Sequence, residues 1–376
     1  MSRAPESGRA VAVVNTGAVE ANCRALVARL EGDARLCAVV KADGYGHGAA
    51  PCAAAAMRGG ASLLAVAAAA EAEELRLHFS EAPLFVMGAL NGAELRQALS
   101  AGAEVAVWRE DFRALCSRLA GEHGSRVRVH VKHDSGMGRL GERDPETVIE
   151  LARACAADDR LELAGVWTHF ATADEPDDEF LAEQLAAFRP VAEAVRELAP
   201  GCIVHAANSA ATIREPASHF EMVRCGVAIY GLDPFQGDPA ERGLVPAMEL
   251  RSYVADVKRL EAGASVGYGR TWRAPADTWI GVLPIGYGDG VRRGLSNNGE
   301  VLVRGSRYPL VGTISMDNLT IDLGPETGVG TGDEAVLLGA QGSERIRAED
   351  LAGRLGTINY EVTCGISRRV SRAHEQ

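Results

Sequence analysis

The chain has 376 residues, 47% hydrophobic and 24% charged, the profile of a soluble globular protein too long for one ordinary core. Its 51 acidic residues outnumber 39 lysines and arginines, and the net charge of −12 argues against nucleic acid or an anionic membrane as a partner, since both need basic surface. No run approaches the ~20 apolar residues of a membrane span, the first residues "MSRAPESGRAVAVVN" lack the apolar core of a signal peptide, and the eight scattered cysteines form no C-x-x-C pair, so no metal site is expected and a reduced, cytoplasmic setting is.

From Leu36 to Gly231 short apolar runs alternate with helical patterns. The first run, "CAVVK", ends on Lys41 and breaks into "ADGYGHG". "LLAVA" and "PLFVMG" follow, then the helical pattern "GAELRQALSAG", the run "EVAVW" and the pattern "EDFRALCSRLAGE". "RVRVHVK" ends on Lys132 and enters "HDSGMGRLG", which carries Arg139; the helical "DPETVIELARACAA" comes next. "LAGVWTHF" brings His169 to its end, and "EFLAEQLAAFRPVAEAVRELA" separates it from "IVHAAN", which ends at Asn208 and Ser209. The eighth run, "MVRCGVAIY", holds Arg224 followed by Gly226 and Val227. Eight strand–helix units predict an α/β fold with a parallel, closed (β/α)8 TIM-type barrel. An open doubly wound sheet is the alternative, weakened because no G-x-G-x-x-G follows the first run.

After about Pro234 the pattern changes. "SYVADVKRL", "TWIGVLPI", "EVLVRG", "YPLVGTI", "LTIDL" and "EAVLLG" are short β-type runs, with "SNNGE" and "GTGDE" as hairpin-like turns and "RAEDLAGRLG" as one amphipathic helix. The segment "GLDPFQGDPAERGLVP" reads as a linker. The expected division is therefore a barrel over residues 10–237 and a mostly-β domain over 238–376, with residues 1–9 as candidates to pack with the latter. Two tyrosines in this domain, Tyr268 in "SVGYGRTW" and Tyr287 in "PIGYGDG", sit between glycines. Aromatic residues are only 5% of the chain, so this repetition asks for more than hairpin chemistry. "SMDN" and "INYE" add Met316, Asp317 and Tyr360.

Barrel active sites lie at the carboxyl ends of the strands. Five of the eight runs end on polar or ionisable residues there, a coincidence that outweighs the ordinary reading of each as a solvated terminus. Lys41 follows two valines directly. The ordinary fate of such a lysine is to snorkel to the surface; the functional alternative is an amine held in a desolvated pocket, able to form a Schiff base with an aldehyde. Gly44, Gly46 and Gly48 would let the backbone approach a ligand, displaying Tyr45 and His47. Arg224 within an apolar run is either a structural ion pair or a ligand contact. Ser209 is by default a helix N-cap, but with Gly226 it also suits a phosphate between the last two strands.

Nine segments in this order, "VVKADGYGHG", "KHDSGMGRLG", "WTHFATADE", "NSAAT", "MVRCGVAIYG", "VGYGRTW", "PIGYGDG", "SMDN" and "INYEV", span nearly the whole chain. Together the sequence resembles the alanine racemases, pyridoxal 5'-phosphate (PLP) enzymes with a barrel and a β domain. The resemblance implies that Lys41 holds PLP as a Schiff base and serves as one catalytic base. Tyr268 matches the base for the opposite face, contributed by the partner subunit of a homodimer. Arg224 matches the arginine facing the pyridine nitrogen, and His169 the residue linking it to the tyrosine. Tyr45, Asn208, Ser209, Gly226, Val227 and Tyr360 match cofactor positions. Arg139 and Met316 match contacts to the substrate carboxylate, and Tyr287, Asp317 and Tyr360 the access corridor. Lys132 matches a lysine often carbamylated in the family, where it orients the equivalent of Arg139.

The implied activity is interconversion of L- and D-alanine, supplying D-alanine for peptidoglycan. Broader amino-acid specificity is the alternative, and a non-catalytic PLP carrier would resemble the barrel alone. The sequence departs from the family pattern in lacking acidic strand residues near "VAVVN", in Thr363 where proline is frequent and in Gly288 where alanine is frequent.

Overall fold

Twenty strands organise the computed structural model, which describes residues 8–376. The first nine are β1 (Val11–Asn15), β2 (Arg35–Val39), β3 (Ala61–Val66), β4 (Leu84–Val86), β5 (Glu104–Val107), β6 (Val127–Lys132), β7 (Leu161–Trp167), β8 (Ile203–His205) and β9 (Met222–Cys225). Strands β2 to β9 pair in parallel and close into a barrel, the last joining the first through Arg35 opposite Met222 and Ala38 opposite Cys225. This is the expected α/β barrel, and its eight strands coincide with the eight apolar runs. Such runs are apolar on both faces because one face fills the barrel and the other meets the helices.

The helices carry the complementary pattern. Pro145–Ala156 starts with proline in its first turn and is capped by Asp144, whose side chain accepts from Thr147 N. It buries Val148, Leu151, Ala152 and Cys155, the i, i+3, i+4, i+7 stripe that faces a sheet. Gly92–Ser100 begins with a reciprocal cap between Asn91 and Glu94 and buries Leu95, Ala98 and Leu99.

The remaining strands are β10 (Met248–Tyr253), β11 (Asp256–Leu260), β12 (Ser265–Val266), β13 (Trp272–Arg273), β14 (Thr278–Leu283), β15 (Glu300–Val303), β16 (Ser306–Pro309), β17 (Leu319–Gly324), β18 (Glu334–Gln341), β19 (Glu344–Ile346) and β20 (Ser371–Glu375). The main sheet has the order β16-β15-β18-β10-β1-β20, with β19 on β18; β11, β14 and β17 form a second sheet, and β12 pairs with β13.

The chain divides into one compact unit of residues 19–44 and 49–229, and another of residues 8–18 with 45–48 and 230–376. The reason is β1, which lies antiparallel to β10 and parallel to β20 in the β-domain sheet, from Val11 opposite Ser371 to Asn15 opposite Glu375. Arg9 joins the same unit through its guanidinium on the Asp289 carboxylate, while residues 1–7 of the proposed extension lie outside the described residues. "SNNGE" and "GTGDE", expected as hairpin-like turns, do not join paired strands. Two-residue hairpins are Gly342–Ser343 between β18 and β19 and Arg304–Gly305 between β15 and β16, the latter with both residues at positive φ (52° and 79°), the geometry that matches strand twist. No helix of the described residues is long and apolar enough to cross a membrane.

Candidate active site

Lys41 leaves β2 at the carboxyl rim and opens a turn of unusual hand. Ala42, Asp43, Gly44 and Tyr45 all have φ between 52° and 63°, and Gly44 N closes the turn on Val40 O at 2.9 Å. Left-handed helical backbone costs about 1–2 kcal/mol for each residue with a Cβ, so it persists only where its surroundings impose it. Glu71 supplies part of that constraint: one carboxylate oxygen accepts from Ala42 N at 2.6 Å, the other from Ala67 N and Ala68 N. Asp43 accepts from Ala49 N at 2.8 Å, tying the turn to the next helix, Ala49–Arg58.

The glycines beyond this turn serve a different purpose from the expected ligand clearance. A Cβ on Gly46 would lie 2.2 Å from Thr363 O, and one on Gly48 2.6 Å from His374 Nε2, so both make room for the protein's own β domain. His47, fully buried, bonds Tyr45 O through Nδ1 and stacks on Tyr230 at 4.5 Å, which supports the loop.

Four cations gather at the rim of the barrel. Lys132, 3% exposed at the end of β6, stands 4.1 Å over the Trp167 ring. Burial first, then the charges of Arg224 and Arg139, bring its ammonium down to about 7, with Lys41 adding to the effect and Asp134 opposing it. His169 is held well below its ordinary value by burial and then by Arg224, Arg139, Lys132 and Lys41, so it is a neutral imidazole among cations. Arg139 rides on a loop shaped by Asp134, whose carboxylate accepts from Gly136 N and Gly138 N.

Arg224, 3% exposed, is held by the carbonyls of Thr168 and Ala206, both 2.8 Å from Nη2, by His169 Nδ1 at 3.3 Å, and through Nη1 by His205 Nδ1 at 3.0 Å. Burial lowers its guanidinium to about 10, which leaves it a cation at neutral pH. Its structural partners are therefore carbonyls and imidazoles, not the carboxylate of an ordinary ion pair.

The turn after β8 revises a second detail. Asn208, not Ser209, caps the helix Ser209–Arg214 by accepting from Ala211 N. Ser209 instead bridges two strand ends. Its hydroxyl accepts from Gly226 N at 3.1 Å and Ala228 N at 3.3 Å, bringing together the segments that carry Ser209, Gly226 and Val227.

In the β unit, Tyr45 and Tyr360 approach to 6.1 Å between ring centres. Tyr287 and Met316 meet through their loops, with Tyr287 N on Ser315 O and Gly288 N on Met316 O. Gly286 is required there, since a Cβ would lie 2.2 Å from Ser315 O; at Gly288 the Arg369 guanidinium fills the space of a side chain. Asp317 pairs with Arg369 at 2.6 Å and Arg9 at 3.6 Å, and Asp289 is shared by the same two arginines. Tyr268 lies between Gly267 and Gly269, both at φ 73°, and is 73% exposed. Glu71, His205, Arg9 and Arg369 were not legible as site residues: each acts through a partner distant in sequence.

A parallel eight-stranded barrel with two lysines and two arginines around its carboxyl rim, followed in one chain by a mostly-β domain, is the architecture of a two-domain barrel enzyme. Residues 14–234 match the family described as alanine racemase, N-terminal domain, and residues 247–374 match alanine racemase, C-terminal domain. The sequence is 44% identical to the alanine racemase of Symbiobacterium thermophilum across 96% of both chains. The solved alanine racemase of Streptomyces lavendulae superposes with a TM-score of 0.92 at 38% identity, covering 99% of this chain and 98% of that one. That of Bacillus anthracis with bound L-Ala-P gives 0.90 at 35% identity, covering 99% and 96%. The chain belongs to the alanine racemase family, whose members are PLP-dependent isomerases.

Proposed function

We propose that the protein interconverts L- and D-alanine with PLP through two bases, Lys41 and Tyr268 of the partner subunit, and supplies D-alanine for peptidoglycan. The observation that carries this reading is the cluster of basic side chains at the barrel rim, of which Lys132 and Arg224 are buried. Lys41, Lys132, Arg139 and Arg224 act on one neutral histidine, with Asp134 the one carboxylate among the groups that shift Lys132. A concentration of positive charge favours an anion, and a phosphorylated cofactor and an amino-acid carboxylate both provide one.

The donor set suits PLP. Lys41 would anchor it, Arg224 would face its ring nitrogen, Ser209, Gly226 and Val227 would hold its phosphate, Tyr45 and Tyr360 match phosphate positions of the family, and Asn208 matches a cofactor position. When bound, PLP supplies an electron-withdrawing ring that acidifies the substrate Cα–H. Lys41 Nζ then moves the α-proton on one face and Tyr268 Oη on the other. Arg224 keeps its own proton, His169 steadies Arg224, and Arg139 with Met316 orients the substrate carboxylate. Lys132, once carbamylated, would orient Arg139. Tyr287 and Asp317 would line the access corridor.

Homodimer formation is supported by the exposure of Tyr268, Tyr287 and Met316, at 73%, 43% and 51%, which is unusual for large apolar side chains and fits a face completed by a second copy. A cytoplasmic setting is supported by the eight cysteines, which are all thiols, seven of them buried.

The test is purified protein with PLP. Wild type is expected to show visible absorbance that Lys41→Ala lacks, and a wild type that never takes up PLP overturns the reading. Tyr268→Phe is expected to lower kcat by ~10²–10⁴-fold, the ordinary worth of one proton transfer. A panel of single L-amino acids separates alanine specificity from the broader alternative, which wins if a long-chain substrate is preferred.

A further inference from the structure

Barrel interiors are normally filled by layers of apolar side chains. Here three polar residues cross that interior in a line. Glu104 at the start of β5 is 6% exposed, and His130 on β6 and His205 on β8 are fully buried. Glu104 Oε2 lies 2.5 Å from His130 Nε2, His130 Nδ1 lies 2.8 Å from His205 Nε2, and His205 Nδ1 lies 3.0 Å from Arg224 Nη1. At the outer end, Glu104 Oε1 accepts from Arg128 Nε at 2.8 Å, and Arg128 also pairs with Glu162.

The passage is built for these rings. A Cβ on Gly165 of β7 would lie 2.2 Å from His130 Nδ1, so only glycine lets that imidazole stand where it does. Phe85 packs on His130 at 4.4 Å, and Trp167 stacks on His205 at 5.6 Å with the ring planes 3° apart.

The direction of every bond in the line follows from its ends. Arg224 can only donate, so His205 Nδ1 must accept and its proton sits on Nε2. That proton is donated to His130 Nδ1, which places the second imidazole's proton on Nε2, facing the Glu104 carboxylate. A doubly protonated His130 would leave His205 Nε2 as acceptor and force a proton onto His205 Nδ1, against the guanidinium. Burial opposes ionisation of Glu104, but the hydrogen bond from His130, then the hydrogen bond and charge of Arg128, outweigh it and hold the carboxyl below its ordinary value. Burial, then the charge of Arg224, hold His205 well below its ordinary value.

We propose that Glu104, His130 and His205 form a relay of positioning residues that fixes both imidazoles as neutral Nε2–H tautomers, so that His205 offers Arg224 only a lone pair and holds the guanidinium in place for the cofactor ring. The relay deepens the proposed function, since it rests on Arg224 facing PLP.

Two measurements test it. In cofactor-free protein with 15N-labelled histidine, the two rings are identified by the nitrogen–nitrogen coupling across their shared hydrogen bond. Both are expected to carry the proton on Nε2 and a bare Nδ1, unchanged from pH 6 to 9. Absence of the coupling, a proton on either Nδ1, or a doubly protonated ring overturns the relay, and this arm needs no variant to fold. In the second arm, Glu104→Leu is expected to weaken PLP binding on the order of tenfold, the worth of a hydrogen bond to a charged group, and to alter the bound-PLP spectrum. Glu104→Gln, which keeps an acceptor for His130, is expected to recover most of the affinity. A Glu104→Leu protein with wild-type affinity and spectrum overturns the relay's role. A wild type that binds no PLP overturns the proposed function instead, leaving the tautomer result to stand or fall alone.

Discussion

Lys132 shows how environment sets chemistry at a single residue. Burial, followed by the charges of Arg224 and Arg139, lowers its ammonium from 10.5 to about 7. Between those values the unfolded chain binds a proton that the folded chain does not, so stability rises with pH across that window, and below about 7 the protonated side chain costs stability. Lys132→Met should therefore flatten the rise in unfolding free energy from neutral to alkaline pH, measured by urea denaturation at several pH values. The same neutral amine is the form that attacks CO2. With 13C-bicarbonate, a carbamate signal is expected at pH 8 and not at pH 6, and to be missing from Lys132→Met at either pH. A carbamate there would put an anion beside the charges of Arg224 and Arg139, which act on Lys132, and would offset them. The motif around Lys132 was legible because it closes a strand; the shift was not, since it arises from residues on other strands.

At the scale of elements, the eight barrel strands were legible because each is a continuous apolar run bounded by polar turns, which few other structures require. β1 was not. "VAVVN" has the same character as a barrel strand, and nothing within five residues says whether its partners will be neighbours or β10 and β20, more than 230 positions away. Its place in the interior of the main sheet makes it a structural element of the β unit. Val14, fully buried and opposite Met248, is a sensitive probe. Val14→Asp should cost about 3 kcal/mol or more by burying a carboxylate without a partner. The expected result is an early unfolding transition of the β unit in calorimetry or hydrogen exchange, with slow exchange retained in the barrel amides. The left-handed turn after Lys41 was equally hidden. Its glycine reads in the sequence as clearance for a ligand, whereas Ala42, Asp43 and Tyr45 share a left-handed conformation with it. Glu71 holds three backbone amides around it, so Glu71→Ala should loosen the turn and lower both thermal stability and PLP retention, while Glu71→Gln, with one acceptor oxygen remaining, should fall between.

Across the whole molecule, charge is arranged against its average. A chain of net charge −12 gathers two lysines and two arginines around one barrel rim, the reverse of its average charge. Composition alone pointed away from nucleic acid and could not reveal this local reversal. Nor could it say how many chains complete the site: the glycines around Tyr268 marked the residue, but only its exposure suggests where it works. If Tyr268 serves the lysine of a partner, then Lys41→Ala and Tyr268→Phe homodimers should each be nearly inactive, because every site lacks one base. A mixed dimer should contain one site with Lys41 from one chain and Tyr268 from the other, both intact. Unfolding and refolding the two variants together at equal concentrations should therefore restore about a quarter of wild-type racemisation, as half the dimers are mixed and each has one whole site. No recovery on mixing, with mixed dimers demonstrated by differential tags, would mean that both bases of a site come from the same chain.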